Sequence, residues 1–497
     1  MSRPAAGRWE LAAWGVVALI FAARAAGSFT VPLTGDEAYY WEWSLRPAGA
    51  YYDHPAGVAM VIALFDHGAR NAALVRVGFL ACGLGATLAL ADFAAAIAHD
   101  RRAGAAAALL LNIAPLLTVG VGVASPDAPY LLCWCASLAL GKRALDHGGW
   151  WWPAFGIALA GAVESRLLGF ALAAGAVSAA VAQRRSEGAI SRAWWAAPLT
   201  FVAGLLPLLL WNAAHGWQTF AFALVGRHVD EGFSPARALR FLAVALLVLG
   251  PGCALAAAWA GAQALRVRTA WGRLAVWTAL PMVALLLVLA LRERVEVYWL
   301  YGPFATLVGV AAALAVKQRW GRVAWGWAVV PSILLLVPML VVLVAPSLTF
   351  AAAIHAFGRD LRNNGPFEIF TYPALARDVA GRTRRAGVMV ATDGYGLSSL
   401  LDFYGSVPPV VIGYDLQGRQ ARTWFDHDAK PREILFVDKE PLATRPDFAA
   451  RFAHACVRVA EGGVRVYDYQ SVPARTYYLT RCLGPLPGAL RTLLWER

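Results

Sequence analysis

Apolar stretches of about twenty residues, the length that crosses a bilayer core, alternate along this chain with short polar breaks. They predict spans near 9–30, 72–98, 103–122, 128–145, 194–213, 238–262, 272–291, 297–316 and 323–347. The stretch 153–182 is long for one span and short for two, and Glu164-Ser165-Arg166 interrupts it. Basic residues decide between the two readings, because cytoplasmic loops are rich in Lys and Arg. They cluster at Arg101-Arg102, Lys142-Arg143, Arg184-Arg185 with Arg192, Arg266/Arg268/Arg273 and Lys317/Arg319/Arg322. Two short helices turning at Glu164–Arg166 give eleven spans, a cytoplasmic N-terminus and every basic loop on the cytoplasmic side. One span there would move the last three basic loops across. The preferred topology gathers loop 31–71, the turn at Ser125-Pro126-Asp127, the Glu164–Arg166 turn, loop 214–237, Arg292–Tyr298 and the C-terminus on the outer face.

After Phe350 the pattern changes. Short β-type runs at Val388–Thr392, Val410–Ile412, Ile434–Val437 and Val464–Tyr467 are separated by helical stretches such as Pro373–Arg385 and Leu397–Tyr404. Alternating helix and strand predicts a small α/β domain. The fold class expected is a polytopic α-helical membrane protein, 1–349, with a soluble α/β domain, 350–497. The apolar run Ala56–Phe65 is too short to span and predicts a helix lying in the membrane interface.

Composition agrees. Of 497 residues 59% are hydrophobic and 15% charged, with a mean hydropathy of +0.54; soluble chains carry about a quarter charged residues. The net charge of +13 is accounted for by the orienting loops and does not imply nucleic acid. The first apolar run lacks a small-residue cleavage site and reads as an anchor. Cys82, Cys133, Cys135 and Cys253 fall in apolar runs and read as small buried hydrophobes. Cys456 and Cys482 fall in the polar C-terminal part, where an oxidising compartment would let them pair; spacing alone leaves this open.

The most unusual polar segment follows the first span and reads TGDEAYYWEWS from Thr34 to Ser44. Acids beside a bilayer are costly without a partner or a task. Thr34 is placed to cap a short helix, on which Asp36, Tyr40 and Trp43 or Ser44 share a face. The bland reading, an interfacial helix with an aromatic belt, suits Tyr39, Tyr40, Trp41 and Trp43; the functional one suits Asp36. Tyr51-Tyr52-Asp53-His54-Pro55 supplies an imidazole and phenols able to meet an anionic headgroup. Asp127 begins a helix, where capping alone would explain it. Arg166 is expected to pair with Glu164 or meet an anionic ligand. Trp211 and Trp217 read as belt residues, Arg227 and His228 offer positive charge to a phosphate, and mutual pairing explains Arg292, Glu293, Arg294 and Glu296 near Tyr298. No Walker loop, GxGxxG after a strand, HExxH or nucleophile elbow is present, and no metal site is indicated.

Taken together, TGDEAYYWEWS (34–44), YYDHPAG (51–57), ASPDAPYLL (124–132), WNAAHGW (211–217) and the order of spans before a soluble domain resemble the GT-C class of membrane glycosyltransferases. The nearest likeness is to the bacterial family related to lipid A aminoarabinose transferases and protein O-mannosyltransferases. The resemblance covers nearly the whole chain, though the C-terminal domain matches only in outline. It implies transfer of a sugar from a polyprenyl-phosphate carrier to an acceptor on the periplasmic side of the inner membrane. The lipid-linked sugar is then the co-substrate, with no obligatory cofactor, and the partners are membrane lipid and a glycolipid or protein acceptor. It implies that Asp36 is the catalytic base and Asp127 a second catalytic acid. It places His54 near the donor phosphate, with Arg227, His228 and Arg166 as further phosphate-binding cations. Glu37, Tyr40, Tyr51, Tyr52 and Tyr298 are expected to bind substrate. Two departures stand out: Glu164-Ser165-Arg166-Leu167 where many relatives have a Ser-Lys-Tyr-like element, and Pro55-Ala56 where they have Pro-Pro. The competing classes are a lipid flippase or transporter, which predicts paired interrupted spans and midplane acids, and a membrane-anchored binding protein, which leaves Asp36, Asp127 and YYDHP unexplained.

Overall fold

The computed structural model describes residues 7–187, 192–228, 230–316, 321–358, 360–362, 366–384, 387–413, 418–426 and 428–494. Lys317 and Arg319, counted above among the basic loop residues, lie outside them, as does Arg385.

Helices Arg8–Thr30, Ala72–Ala98, Asp127–His147, Ala270–Leu289 and Tyr301–Ala315 match predicted spans closely. The ambiguous stretch is two helices, Trp151–Ser165 and Gly169–Glu187, broken at the expected turn. The predicted span 238–262 is not one helix. Pro235–Val248 and Pro251–Ala264 meet at 113°. The break has a local cause: Gly250 sits at φ +85°, and Pro251 lacks the N–H that would continue the first helix. Among the described residues, five helices are long and apolar enough to cross a membrane, or up to eight when each bent pair counts as one span. Eleven spans are therefore reached only in part: Trp151–Ser165 is short, and Asp127–His147 carries Asp127, Lys142, Arg143 and Asp146.

Contacts divide the chain into two compact units. The first holds Met1–Gly27, Pro47–Phe65 and Arg76–Val344; the second holds Ser28–Arg46, Asp66–Val75 and Ala345–Arg497. The core of the first unit is a helix bundle around Leu90, Phe93, Trp134, Leu138 and Val308, all fully buried. Two of its buried polar contacts cross between helices: the Trp134 indole donates to Thr306 Oγ1 at 2.8 Å, and the buried Arg24 donates to Asn112 Oδ1 at 2.7 Å. Backbone close approach fixes two glycines between the first two long helices. A Cβ on Gly49 would lie 2.3 Å from the Pro207 carbonyl oxygen, and one on Gly57 would lie 2.6 Å from that of Glu164. The short helix Gly57–Ala63 is thereby seated on the Glu164–Ser165 turn.

The second unit carries a five-stranded mixed sheet in the order β2-β1-β3-β5-β4. The strands are β1 Val388–Thr392, β2 Val410–Val411, β3 Glu433–Asp438, β4 Cys456–Tyr469 and β5 Val472–Pro485. β1 runs parallel to β2 and β3, with Val390 opposite Leu435, while β5 is antiparallel to both β3 and β4. Four strands fall where the β-type runs predict them, and β5 is additional. Its hairpin turns on Gln470 and Ser471, both at positive φ (48° and 62°), a conformation usually announced by Asn-Gly. Cys456 and Cys482 form a disulfide in this domain.

Candidate active site

The helix Gly35–Ser44 belongs to the second unit and starts as Thr34 predicts. The Thr34 hydroxyl accepts from the Glu37 N–H at 3.2 Å, and Glu37 Oε2 accepts from the Thr34 N–H at 2.9 Å. This capping box gives the fully buried Glu37, expected above to bind substrate, a structural task. The aromatics are not a lipid-facing belt either. Trp41, Trp43, Tyr39 and Tyr40 are all buried in protein. The Trp41 indole donates to Asp66 Oδ2 at 2.8 Å, and its ring meets Phe403 edge-on at 5.0 Å. Tyr40 packs against Trp43 with ring centroids 5.1 Å apart.

Asp36 differs from its neighbours. It keeps an exposed edge, and Oδ1 accepts a hydrogen bond from the Tyr395 phenol at 2.6 Å. Desolvation by surrounding protein raises its carboxyl above the usual range; the Tyr395 hydrogen bond lowers it and the neighbouring Glu37 raises it. The net displacement is upward, in the direction that suits a general base.

The remaining predicted residues belong to the first unit. A tight turn is closed by the Ala50–Pro55 bridge and by the Tyr51 N–H donating to the His54 carbonyl at 2.9 Å. The Trp211–Trp217 element holds it in place. The Asn212 side chain, fully buried, accepts from the Thr219 N–H at 3.1 Å, and the Thr219 hydroxyl donates to the Tyr51 carbonyl at 2.7 Å. Tyr51 is buried, and Tyr52 packs on Phe222 at 5.2 Å.

Arg166 does not pair with Glu164. It pairs with Asp127, both side chains being about a tenth exposed or less (7% and 12%). Its guanidinium also lies over the Tyr298 ring at 4.9 Å. Glu164 instead accepts from the Leu208 N–H at 3.3 Å, a first-turn amide of the helix Leu206–Ala214. Arg227 lies over the Trp299 ring at 4.6 Å. His228, expected above to be a phosphate ligand, is held by two protein contacts: Nδ1 meets Glu293 Oε2 at 2.5 Å and Nε2 meets the Ala223 carbonyl at 2.9 Å. Nor do Arg292 and Arg294 find their acids within the cluster near Tyr298. Arg292 binds Asp230 at 3.1 Å and Arg294 binds Glu231 at 3.3 Å, which ties 292–294 to the loop after Arg227.

His54 completes this cluster. Burial pushes its imidazole well below the usual range, and the charges of Arg166 and Arg227 push it further the same way. The resting imidazole is thus neutral, and the cations are the two arginines. The sign gives a prediction. A folded-state value below the unfolded one means that the unfolded chain binds more protons in acid, so stability is lost as pH falls below about 6.5. The melting temperature should fall between pH 7 and 5, and fall less in His54→Gln; equal slopes in a thermal-shift titration would remove His54 as the cause.

The structure thus brings together Asp127, Arg166, Tyr298, Arg227 and His54 around a common charge system, while Asp36, Glu37 and Tyr40 sit on one helix of the other unit. Sequence reasoning missed Tyr395, Thr219 and Trp299. Their only signal is spatial. Among the described residues no group of three or more His, Cys, Asp or Glu is arranged to hold a metal ion.

Residues 53–211 match the family model of dolichyl-phosphate-mannose-protein mannosyltransferases. No curated protein shows a significant sequence match to the chain. In fold the chain is similar to ArnT from Cupriavidus metallidurans bound to undecaprenyl phosphate, with a TM-score of 0.62, 14% identity and coverage of 99% of this chain and 100% of that one. The apo form of that protein gives a TM-score of 0.59 at 15% identity, covering 98% and 100%. The archaeal oligosaccharyltransferase AglB from Archaeoglobus fulgidus, in complex with an inhibitory peptide and a dolichol-phosphate, gives 0.51 at 13%, covering 89% and 71%. The chain thus shares the fold of ArnT, and its residues 53–211 carry the match to the mannosyltransferase family model.

Proposed function

We propose that this protein transfers a sugar from a polyprenyl-phosphate carrier to a hydroxyl or phosphate of an envelope glycolipid of the lipid A type. The reaction runs on the periplasmic face of the inner membrane. The observation that carries the reading is the buried Asp127–Arg166 pair over Tyr298, with Arg227 and His54 acting on the same field. Such a cluster is chemically suited to a phosphate, since guanidinium groups bind phosphate oxygens through paired N–H donors. Long isoprenoid phosphates are the ligands bound by the ArnT and AglB structures named above. The disulfide Cys456–Cys482 supports an oxidising compartment for the C-terminal domain.

The acceptor oxygen attacks the anomeric carbon and forms the new glycosidic bond. Asp36 takes the proton from that oxygen. The bond from the anomeric carbon to the carrier phosphate breaks, and the polyprenyl phosphate leaves with the bonding pair. Arg166 and Arg227 stabilise the charge it gains. A single displacement inverts the anomeric configuration. Asp127 holds Arg166 in place, and Tyr298 backs the same guanidinium.

Mass spectrometry of envelope lipids with and without the protein tests this reading. The expected result is a glycolipid heavier by one sugar residue only when the protein is present. Sugar appearing on peptides instead would overturn the lipid acceptor. Flux of lipid-linked sugar across liposomes with no new glycosidic bond would favour a flippase.

A further inference from the structure

The helix carrying Asp36 packs on one helix of the C-terminal α/β domain, Tyr395–Gly405, which follows β1 directly. Both helices lie in the second unit. The contact begins at backbone level. A Cβ on Gly35 would lie 2.9 Å from the Gly396 Cα, and one on Gly396 would lie 3.2 Å from the Gly35 Cα, so the helix starts touch with no side chain between them. Further contacts fix the registration: the Leu33 N–H donates to the Tyr404 hydroxyl at 2.7 Å, and Arg70 binds Asp402 at 2.8 Å. At the same end the Tyr395 ring lies 4.5 Å from that of Tyr39, and its hydroxyl donates to Asp36 at 2.6 Å. The capping box, the glycine contact and the ring packing therefore all converge on one hydrogen bond.

We infer that Tyr395 is a positioning residue, whose phenol orients the Asp36 carboxylate and favours its ionised form. The inference rests on Asp36 being the base proposed above. A short O–H donor to a carboxylate selects one rotamer and stabilises the charged state over the neutral one. It opposes the desolvation that otherwise raises Asp36. The other charged or titratable groups of this packing include Glu37, Tyr39, Tyr40 and Glu42 on the Asp36 helix, Asp402 and Tyr404 on the Tyr395 helix, and Asp66 and Arg70 on the intervening segment. Of these, Glu37 acts on Asp36, raising it, while Glu42 interacts with Asp402, Ser399 and Arg46. The soluble domain thus contributes through one phenol as well as through bulk.

The test is Tyr395→Phe in the full-length protein, which keeps the ring beside Tyr39 and removes only the donor. A carbodiimide labels protonated carboxyls, so the pH midpoint of labelling at Asp36, read by peptide mass spectrometry, follows its ionisation without needing turnover. The midpoint should move to higher pH by about one unit or more, as loss of a charge-assisted hydrogen bond implies. The acid limb of the transfer rate should move the same way, with kcat lowered and the donor KM little changed. Incorporating 3-fluorotyrosine at 395, a stronger donor, should move the midpoint down, an opposite sign that general loosening cannot produce. Unmoved midpoints in both proteins would overturn the inference. A moved labelling midpoint with an unmoved rate profile would uphold the Tyr395–Asp36 linkage and overturn Asp36 as the base.

Discussion

Asp36→Asn lowers kcat for sugar transfer by roughly 10²–10⁴-fold, the usual contribution of a positioned general base, and leaves the melting temperature unchanged. The side chain keeps its size, and an amide oxygen still accepts from Tyr395, which now donates at 2.6 Å to Oδ1. The helix keeps its start, because the cap uses Thr34 and Glu37 and not Asp36. Glu37 cannot take over the proton transfer, since it is fully buried and committed to the Thr34 amide. The measurement is the initial rate of purified protein with a polyprenyl-phosphate-linked sugar and an acceptor glycolipid. A variant as fast as the wild type would end the case for Asp36.

Arg166→Met carries the second large effect, and it divides stability from binding. Removing the guanidinium leaves the Asp127 carboxylate buried and uncompensated, with 12% of its side chain exposed. Breaking one partner out of a buried pair costs about 3–5 kcal/mol, which a thermal-shift measurement reads as a large drop in melting temperature. Replacing both partners, Arg166→Met with Asp127→Leu, removes the uncompensated charge and should recover most of that loss. Affinity for undecaprenyl phosphate should not recover, because the phosphate still lacks its cation. Wild-type affinity in the double variant would show that Arg166 serves the fold alone.

Much of this architecture is local in origin and legible along the chain. Runs of apolar residues placed the helices, and the break at Glu164–Arg166 was visible because charges interrupt the run there. The start of the Asp36 helix was readable because Thr34 acts on a residue three positions away. What failed was nonlocal or conformational. The bend at Gly250 needs a positive φ that hydropathy does not register. The aromatic residues of Tyr39–Trp43 have the composition of a membrane belt, yet they are buried against a domain hundreds of residues later. Arg166 has an acid two positions before it and takes instead one 39 positions away, because the turn at the helix end sends Glu164 to the Leu208 amide.

The sequence by itself determined the membrane class and most of the order of helices and strands, and it marked the acids and bases that stand where burial is costly. These depend on periodicity, hydropathy and caps, all set within a few residues of one another. Only the tertiary structure decided which of those groups are free to react. It tied Asp127 to Arg166, Glu37 to its cap and His228 to Glu293. It left His54 neutral beside two arginines and gave Asp36 a phenol from 359 residues further along the chain. The physical reason is that charge and proton affinity depend on desolvation and on partners in space, which the order of residues does not set.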